Sequence, residues 1–270
     1  MQMRIDGKVA VVTGGAGVLC AQMAVGLAAS GAKVAVLDIS TDKAQEVADG
    51  IANLGYKAIA MECNVLSKES VEKACSLVIG KFGTVDILIN GAGGNKADAT
   101  TGANMSFFDM PKEAIEWVFD LNLMGTILPT QVFGRVFAQK KGGCVVNVSS
   151  MAAFTPLTKT VAYSAAKAGV TNFTRWMATH FNQEYSPNIR VNAIAPGFLL
   201  TQQNEYLLVD QKTKQHTERG AKIIAGTPMG RYGKPEELVG AVVFLCSSAA
   251  SFINGAVLPI DGGYAAYSGV

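Results

Sequence analysis

Seven short apolar runs separated by helix-length stretches constrain this chain more than any other feature. The runs are Val9–Val12, Lys33–Leu37, Ala58–Glu62, Val85–Asn90, Cys144–Val148, Ile189–Ile194 and Ala256–Ile260. Between them lie Thr41–Leu54, Ser67–Phe82, Pro111–Gln139 and Val161–Tyr185, each with helical patterning. Several runs are apolar throughout instead of alternating, as strands covered on both faces should be. The alternation predicts an α/β chain: a doubly wound parallel sheet of about seven strands with helices on both faces. No linker or low-complexity stretch divides residues 1–270, so one Rossmann-type domain is expected. One stretch breaks the rhythm. Residues 198–233 are polar at their centre and carry no strand pattern, which marks a lid or binding loop.

Composition narrows the function classes. Apolar residues make up 49% and charged residues 16%, against roughly 25% charged in an average globular protein. That implies a large core and a further buried surface between subunits. The net charge is +2 with no basic run, which argues against a nucleic-acid partner. No apolar stretch nears the length of a membrane span. The five cysteines form no CxxC pair, and no leader is read ahead of Lys8, so reduced, buried thiols in a cytoplasmic protein are expected. The two histidines, His180 and His216, stand apart from any Cys/His cluster, so no metal site is expected.

Ligands of such a sheet sit beyond the carboxyl ends of its strands. After the first run come Gly14, Gly15 and Gly17, followed by a helical pattern. Glycines here allow a tight turn whose amides, with the helix start, can face a pyrophosphate. Val18 and Cys20 stand where such a turn would often carry glycine. Asp38, twenty-four residues after Gly14, ends the second run. A carboxylate there accepts from both adenosine ribose hydroxyls and repels a 2′-phosphate. Ile39 and Ser40 supply no compensating cation, which favours NAD over NADP. Asn64 and Val65 follow the third run, where an amide could read the adenine edge and the valine pack on its face. Asn90-Gly91-Ala92-Gly93 makes a second glycine turn after the fourth.

The chemistry concentrates in Tyr163-x-x-x-Lys167. At i and i+4 of a helix the two side chains share a face. A neighbouring ammonium favours the phenolate and lowers a tyrosine pKa from its usual value near 10, which suits proton exchange with a carbinol oxygen. Ser150, thirteen residues before Tyr163, could bond the same oxygen. Asn122 lies within the Pro111–Gln139 stretch; it either orders a water that relays protons from Lys167 or is a buried amide bonded to backbone.

Together these residues resemble the short-chain dehydrogenase/reductase family across essentially the whole chain. Thr13-Gly14, Asp38, Asn64-Val65, Asn90–Gly93, Asn122, Ser150, Tyr163-x-x-x-Lys167, Pro196-Gly197 and Ile260-Asp-Gly-Gly263 carry the resemblance. It implies an NAD-dependent oxidoreductase with a tetrad of Ser150, Tyr163, Lys167 and Asn122. It further implies that Gly14, Gly15, Gly17, Val18, Leu19, Asp38, Ile39, Asn64, Val65, Asn90, Gly91, Ala92, Gly93, Tyr163, Lys167, Pro196, Gly197, Phe198 and Thr201 line the cofactor. A homotetramer is the family's usual assembly. The departure is the opening TGxxxGxG pattern, whose second and third glycines fall on Val18 and Cys20 in a gapless alignment. Either Gly17, one residue early, gives the close backbone approach, or the pyrophosphate sits further out.

Gly93–Lys96, Gln203–Asp210 and the ending Ala265–Val270 resemble a sugar-acid branch of the family that interconverts D-mannonate and D-fructuronate. Such a substrate needs a cation for its carboxylate and donors for its hydroxyls. Asn95, Lys96, Ser150, Asn204 and Arg231 are the candidates, with Lys159 a further cation. Arg231 has a structural role as its alternative, and Lys96, Lys159 and His216 have that of solvated surface groups. The competing functions are another reductase of the family, acting on 5-ketogluconate or 3-ketoacyl groups, and a non-catalytic nucleotide-binding scaffold.

Overall fold

The computed structural model describes residues 3–201 and 204–269. Gln203 and Val270, two positions of the sugar-acid resemblance, lie outside the described residues. The seven runs form one parallel sheet in the order β3-β2-β1-β4-β5-β6-β7. Its strands are β1 (Val9–Thr13), β2 (Lys33–Asp38), β3 (Ala58–Glu62), β4 (Ile87–Asn90), β5 (Gly143–Val148), β6 (Ile189–Pro196) and β7 (Val257–Ile260). The order reverses between β1 and β4, which opens a crevice at their carboxyl ends. Helices α1 (Val18–Ala29), α2 (Thr41–Asn53) and α3 (Lys68–Phe82) follow β1, β2 and β3 in turn. One core layer packs α1 residues Met23 and Leu27 on Val12 and Val36; the other packs Phe133, Phe137 and Phe181 on Leu88 and Val145. Central strands are buried on both faces, which is why their sequence shows runs and not alternation.

The stretch expected as one helix over Pro111–Gln139 is three elements. They are α4 (Lys112–Phe119), a π turn at Asp120–Met124, and α5 (Gly125–Lys140). Pro129 sits early in α5 and cannot donate to the carbonyl one turn back, so the ladder must be re-phased just ahead of it. The π turn turns Asn122 inward. Beyond it, α6 (Val161–Glu184) packs on β6.

Residues 198–233 hold two short helices, α7 (Glu205–Leu208) and α8 (Glu218–Ala225). Leu208, Ile223 and Tyr232 give this segment a small core of its own. Helix α9 (Val239–Cys246) then packs on α1. All five cysteines are buried and unpaired. Among the described residues no helix is long and apolar enough to cross a membrane.

Candidate active site

Every strand from β1 to β6 delivers a predicted site residue to one edge of the sheet. Gly14 follows β1 at φ 60°, and a Cβ there would lie 2.7 Å from the Ala92 Cα. Glycine is therefore required by the backbone and by the turn after β4 at once. A Cβ on Gly15 would meet Val36 Cγ1 at 2.7 Å and the Val12 carbonyl at 2.9 Å. Gly17 is different. It is the N-cap of α1 at φ −68°, so no left-handed conformation demands glycine, and a Cβ would meet only the Gly14 carbonyl, at 3.2 Å. The helix starts at Val18, where Val18 and Leu19 are partly exposed in its first turn.

Asp38 braces this turn. Its Oδ2 accepts from the Ala16 amide at 3.1 Å and its Oδ1 from the Ser40 amide at 3.0 Å. Each oxygen keeps a lone pair for a further donor. Ile39 beside it is 70% exposed, an apolar side chain at the crevice rim. Asn64 is exposed and uses its Oδ1 on the Leu66 amide, leaving Nδ2 free, whereas Val65 is buried in the core beneath Gly125. The expectation that Val65 offers its face to a ligand is corrected by that burial. Asn90 is corrected too. Its side chain is buried and donates to Thr130 Oγ1 and Asn147 Oδ1, both at 2.8–2.9 Å, so it faces the core and not the crevice. Only its backbone leads into the Gly91-Ala92-Gly93 turn.

The catalytic candidates converge. Tyr163 lies in the first turn of α6, half-buried against a small cluster of Ala99, Met110, Ala114, Val118 and Ala162. Lys167 Nζ donates to the Val148 carbonyl at 2.8 Å and lies 5.7 Å from the Tyr163 ring centroid. Ser150 follows β5, accepts from the Ala152 amide at 3.1 Å, and hydrogen-bonds the Tyr163 hydroxyl. Burial raises the Tyr163 pKa above its usual value, and the Ser150 bond draws it partly back. The expected lowering of the phenol is thus corrected: burial raises it. Burial also lowers Lys167, to about 8. Opposing these effects on the phenol, the positive end of the α6 dipole favours negative charge in the first turn.

The side chain of Asn122 takes the second of its two expected roles. Its Nδ2 donates to the Gly94 and Val118 carbonyls at 2.7 and 2.8 Å, and its Oδ1 accepts from the Gly94 amide at 3.1 Å. The amide therefore clamps the turn after β4 to the π turn. A Cβ on Gly93 would come within 2.8 Å of Asn122 Oδ1 and 3.1 Å of Lys167 Nζ. A buried polar chain was missed by the sequence reading. Thr126 Oγ1 donates to the Asn122 carbonyl, Thr130 Oγ1 to the Thr126 carbonyl, Asn90 to Thr130 and Asn147, and Asn147 to Thr174. Its one sequence signal is threonine at i and i+4 on α5, just after Asn122.

At the mouth, Pro196 is buried and Gly197 lies against Asp261, whose Cβ would be 2.5 Å from an added one. Phe198 stacks edge-on against Tyr264, and the Thr201 amide donates to Asn204 Oδ1 at 2.8 Å. Two expected substrate groups are otherwise engaged. Arg231 makes a two-pronged ion pair with Glu237, both bonds at 2.7 Å, so its carboxylate partner is internal. Asn204 spends its amide on the Leu199 carbonyl and the Thr201 amide, which fixes the loop instead of offering a donor. Asn95 bonds Thr100 Oγ1 at 2.9 Å, and the Lys96 ammonium sits 5.5 Å from the Trp117 ring centroid. His216 is exposed and contacts the Tyr232 hydroxyl at 3.4 Å, a brace of the 198–233 segment. Among the described residues no cluster of His, Cys, Asp or Glu could hold a metal ion.

The Lys167 shift has a measurable sign. The unfolded chain holds this proton up to the ordinary lysine value of 10.5, and the folded one releases it near 8. Between those values the unfolded state binds more protons, so stability rises with pH across the window. The raised phenol of Tyr163 works the other way above pH 10. Urea unfolding of the protein and of Lys167→Met at pH 7.5, 8.5 and 9.5 should show a rise that the variant lacks. Parallel curves would disprove the buried, depressed ammonium.

The chain is similar to known proteins over nearly its whole length. The family model described as Enoyl-(Acyl carrier protein) reductase matches residues 15–265. An uncharacterized oxidoreductase of Haemophilus influenzae is 47% identical over 277 residues, covering 98% of this chain and 96% of the relative. The uncharacterized oxidoreductase UxuB of Bacillus subtilis is 48% identical over 275 residues, covering 98% of each. A solved structure described as "a putative D-Mannonate oxidoreductase" from Haemophilus influenza, with bound NAD, superposes with a TM-score of 0.93 at 47% identity, covering 99% of this chain and 98% of that one.

Proposed function

Since this chain belongs to the short-chain dehydrogenase/reductase family and is an oxidoreductase of CH–OH groups, we propose that it interconverts a sugar acid and its keto form with NAD(H), D-mannonate and D-fructuronate being the preferred pair. The observation that carries the chemistry is the meeting of Ser150, Tyr163 and Lys167 at the sheet edge beside the Gly14 turn and Asp38. The likeness to the NAD-bound structure supports the substrate.

The residues present fit a dinucleotide with an unphosphorylated ribose. Gly14 brings the turns after β1 and β4 together with no room for a Cβ. Asp38 keeps acceptor capacity at the end of β2, and no cation follows it at Ile39 or Ser40. Asp38 would hold the adenosine ribose hydroxyls, the Gly14–Gly17 turn the pyrophosphate, and Lys167 the second ribose; Pro196 to Thr201 would flank the nicotinamide. Bound NAD(H) supplies or accepts the hydride at its nicotinamide ring.

The side chains do the rest. Ser150 orients the substrate oxygen by a hydrogen bond, and Tyr163 gives a proton to that oxygen in reduction and takes it back in oxidation. Lys167 biases the phenol toward giving up its proton, and Asn122 holds the turn on which Lys167 rests. Residues 198–233 act as the lid over this site within one domain. The reading includes a cytoplasmic homotetramer. Trp176, 57% exposed and stacked on His180, and Tyr185, 45% exposed just past the end of α6, leave an aromatic face there suited to a subunit contact.

A panel assay tests the reading. D-fructuronate, tagaturonate, 5-ketogluconate and an acetoacetyl ester are each offered with NADH and with NADPH, following loss of reduced cofactor. D-fructuronate with NADH is expected to give the highest kcat/KM. Faster turnover of the acetoacetyl ester, or NADPH preferred over NADH, would discard it.

A further inference from the structure

The proposed reaction gives the five cysteine thiols no task, and they are not alike. Burial pushes Cys20 up to about 12 and Cys63 and Cys75 up to about 11, where a thiol is inert. Cys144 and Cys246 differ, because they meet. Cys144 is the second residue of β5 and Cys246 the last of α9, and both belong to the same core layer.

Two contacts bracket Cys246. The Cys144 thiol donates to the Leu245 carbonyl at 3.4 Å, and the Arg190 guanidinium donates to the Ser247 carbonyl at 3.2 Å. Leu245 and Ser247 flank Cys246, and Cys144 and Arg190 are register partners on β5 and β6. Two thiols and a cation are therefore gathered at one point between the sheet and the end of α9. The Cys246 thiol donates to the Cys144 sulfur.

Arg190 has no counter-ion. It donates further to the Ile253 carbonyl at 3.5 Å, and among the described residues no carboxylate neutralises it. A half-buried guanidinium beside a thiol favours the thiolate. The Cys246 S–H and, after it, the guanidinium draw the Cys144 thiol below its usual value against the opposing effect of burial. Cys144 is 5% and Cys246 8% exposed, so a small uncharged oxidant is the class that reaches them.

We propose that Cys144 and Cys246 form a dithiol that a hydroperoxide oxidises to a disulfide, with Arg190 holding the attacking thiolate, and that the bond staples β5 to α9. The Cys144 thiolate attacks an oxygen of the hydroperoxide. An S–O bond forms, the O–O bond breaks, and the second oxygen leaves as an alcohol or water after taking up a proton. The Cys246 thiol then attacks the Cys144 sulfur. An S–S bond forms, the S–O bond breaks, and hydroxide leaves with the Cys246 proton as water. The two sulfurs lose two electrons and the peroxide gains them. Cys144 stands near the amino end of β5 and Ser150 beyond its carboxyl end, so the bond forms away from the crevice and leaves the reacting residues in place. Joining the two positions closes a loop of about 100 residues, which constrains the unfolded chain and raises stability.

The test treats the reduced protein with hydrogen peroxide, alkylates the remaining thiols under denaturing conditions and maps the peptides by mass. The 144–246 cross-link is expected as the main product, with Cys20, Cys63 and Cys75 alkylated, and the urea midpoint of the oxidised protein is expected to rise. In Cys246→Ala no disulfide should form, and a 1,3-diketone should trap a sulfenic acid on Cys144. Arg190→Met should slow the oxidation by about three- to tenfold, the effect of one lost cation on the thiolate, and Arg190→Lys should restore most of the rate. Cys246→Ala changes one small side chain and reads the same site where Arg190→Met fails to fold. A different cross-link, Cys144 and Cys246 oxidised no faster than the other three thiols, or an untrapped Cys144 in Cys246→Ala overturns the proposal. An oxidised protein with an unchanged urea midpoint overturns the staple.

Discussion

Tyr163→Phe should lower kcat for D-fructuronate reduction by about 10²- to 10⁴-fold, the usual weight of a positioned general acid. The ring packs against the cluster of Ala99, Met110, Ala114, Val118 and Ala162, an apolar contact that phenylalanine keeps, so folding and NADH binding should survive. The lost group is the hydroxyl that bonds Ser150. Because burial holds the phenol above its usual value, it is protonated at neutral pH and is a donor there. Reduction of the ketone should therefore run well near pH 7, and oxidation of the alcohol should gain rate as pH rises. Phenylalanine should abolish that rise along with most of the turnover. Steady-state rates in both directions from pH 6 to 10, with NADH binding followed by fluorescence, separate a lost proton donor from a lost fold. Turnover in Tyr163→Phe within a few-fold of wild type would remove Tyr163 from the proton transfer.

The sequence made the framework legible because parallel, doubly covered strands leave uninterrupted apolar runs, and those are hard to mistake. Each of the seven runs became a strand, with ends differing by a few residues, as at β6, which continues to Pro196. The Tyr163/Lys167 pair was legible because helical spacing fixes which side chains share a face. What stayed hidden depends on contacts between segments remote in sequence. The re-phasing around Asp120–Met124 comes from Pro129 and from Asn122 reaching the turn after β4, and neither shows in a periodicity. Asn90 reads as a crevice residue until Asn147 and Thr130 are seen to take its amide. Arg231 reads as a free cation until Glu237 is placed beside it. The direction of the Tyr163 shift was missed for a similar reason. Spacing reveals the neighbouring ammonium but not how deeply the phenol is buried.

The glycine turn yields the other large prediction, because the same kind of remote contact explains its departure from the family pattern. Cys20 stands at the third glycine position, yet its sulfur packs without strain, since the residue it faces is Gly91. Its Sγ lies 3.6 Å from the Gly91 carbonyl, and a Cβ on Gly91 would fall 2.2 Å from that sulfur and 2.9 Å from the Thr13 carbonyl. The close approach of α1 to the sheet, made elsewhere by glycine in the helix, is made here by glycine in the opposite turn. Gly91→Ala should then cost about 3 kcal/mol, the upper end for overpacking, because one of the two obstructing atoms is backbone. In a chain of this length that is a fall in Tm of about 5 °C. Affinity for NADH should fall with it, on the proposal that the turns after β1 and β4 bed the cofactor. Cys20→Ala removes the sulfur but keeps the Cβ, which would lie 3.6 Å from the new methyl, an ordinary contact. The double variant Cys20→Ala/Gly91→Ala should recover at least about 1 kcal/mol of the loss, a coupling that a double-mutant cycle reads directly. Additive losses would mean that Cys20 and Gly91 do not share this space, and the altered turn would then have to be accommodated within residues 13–18 alone.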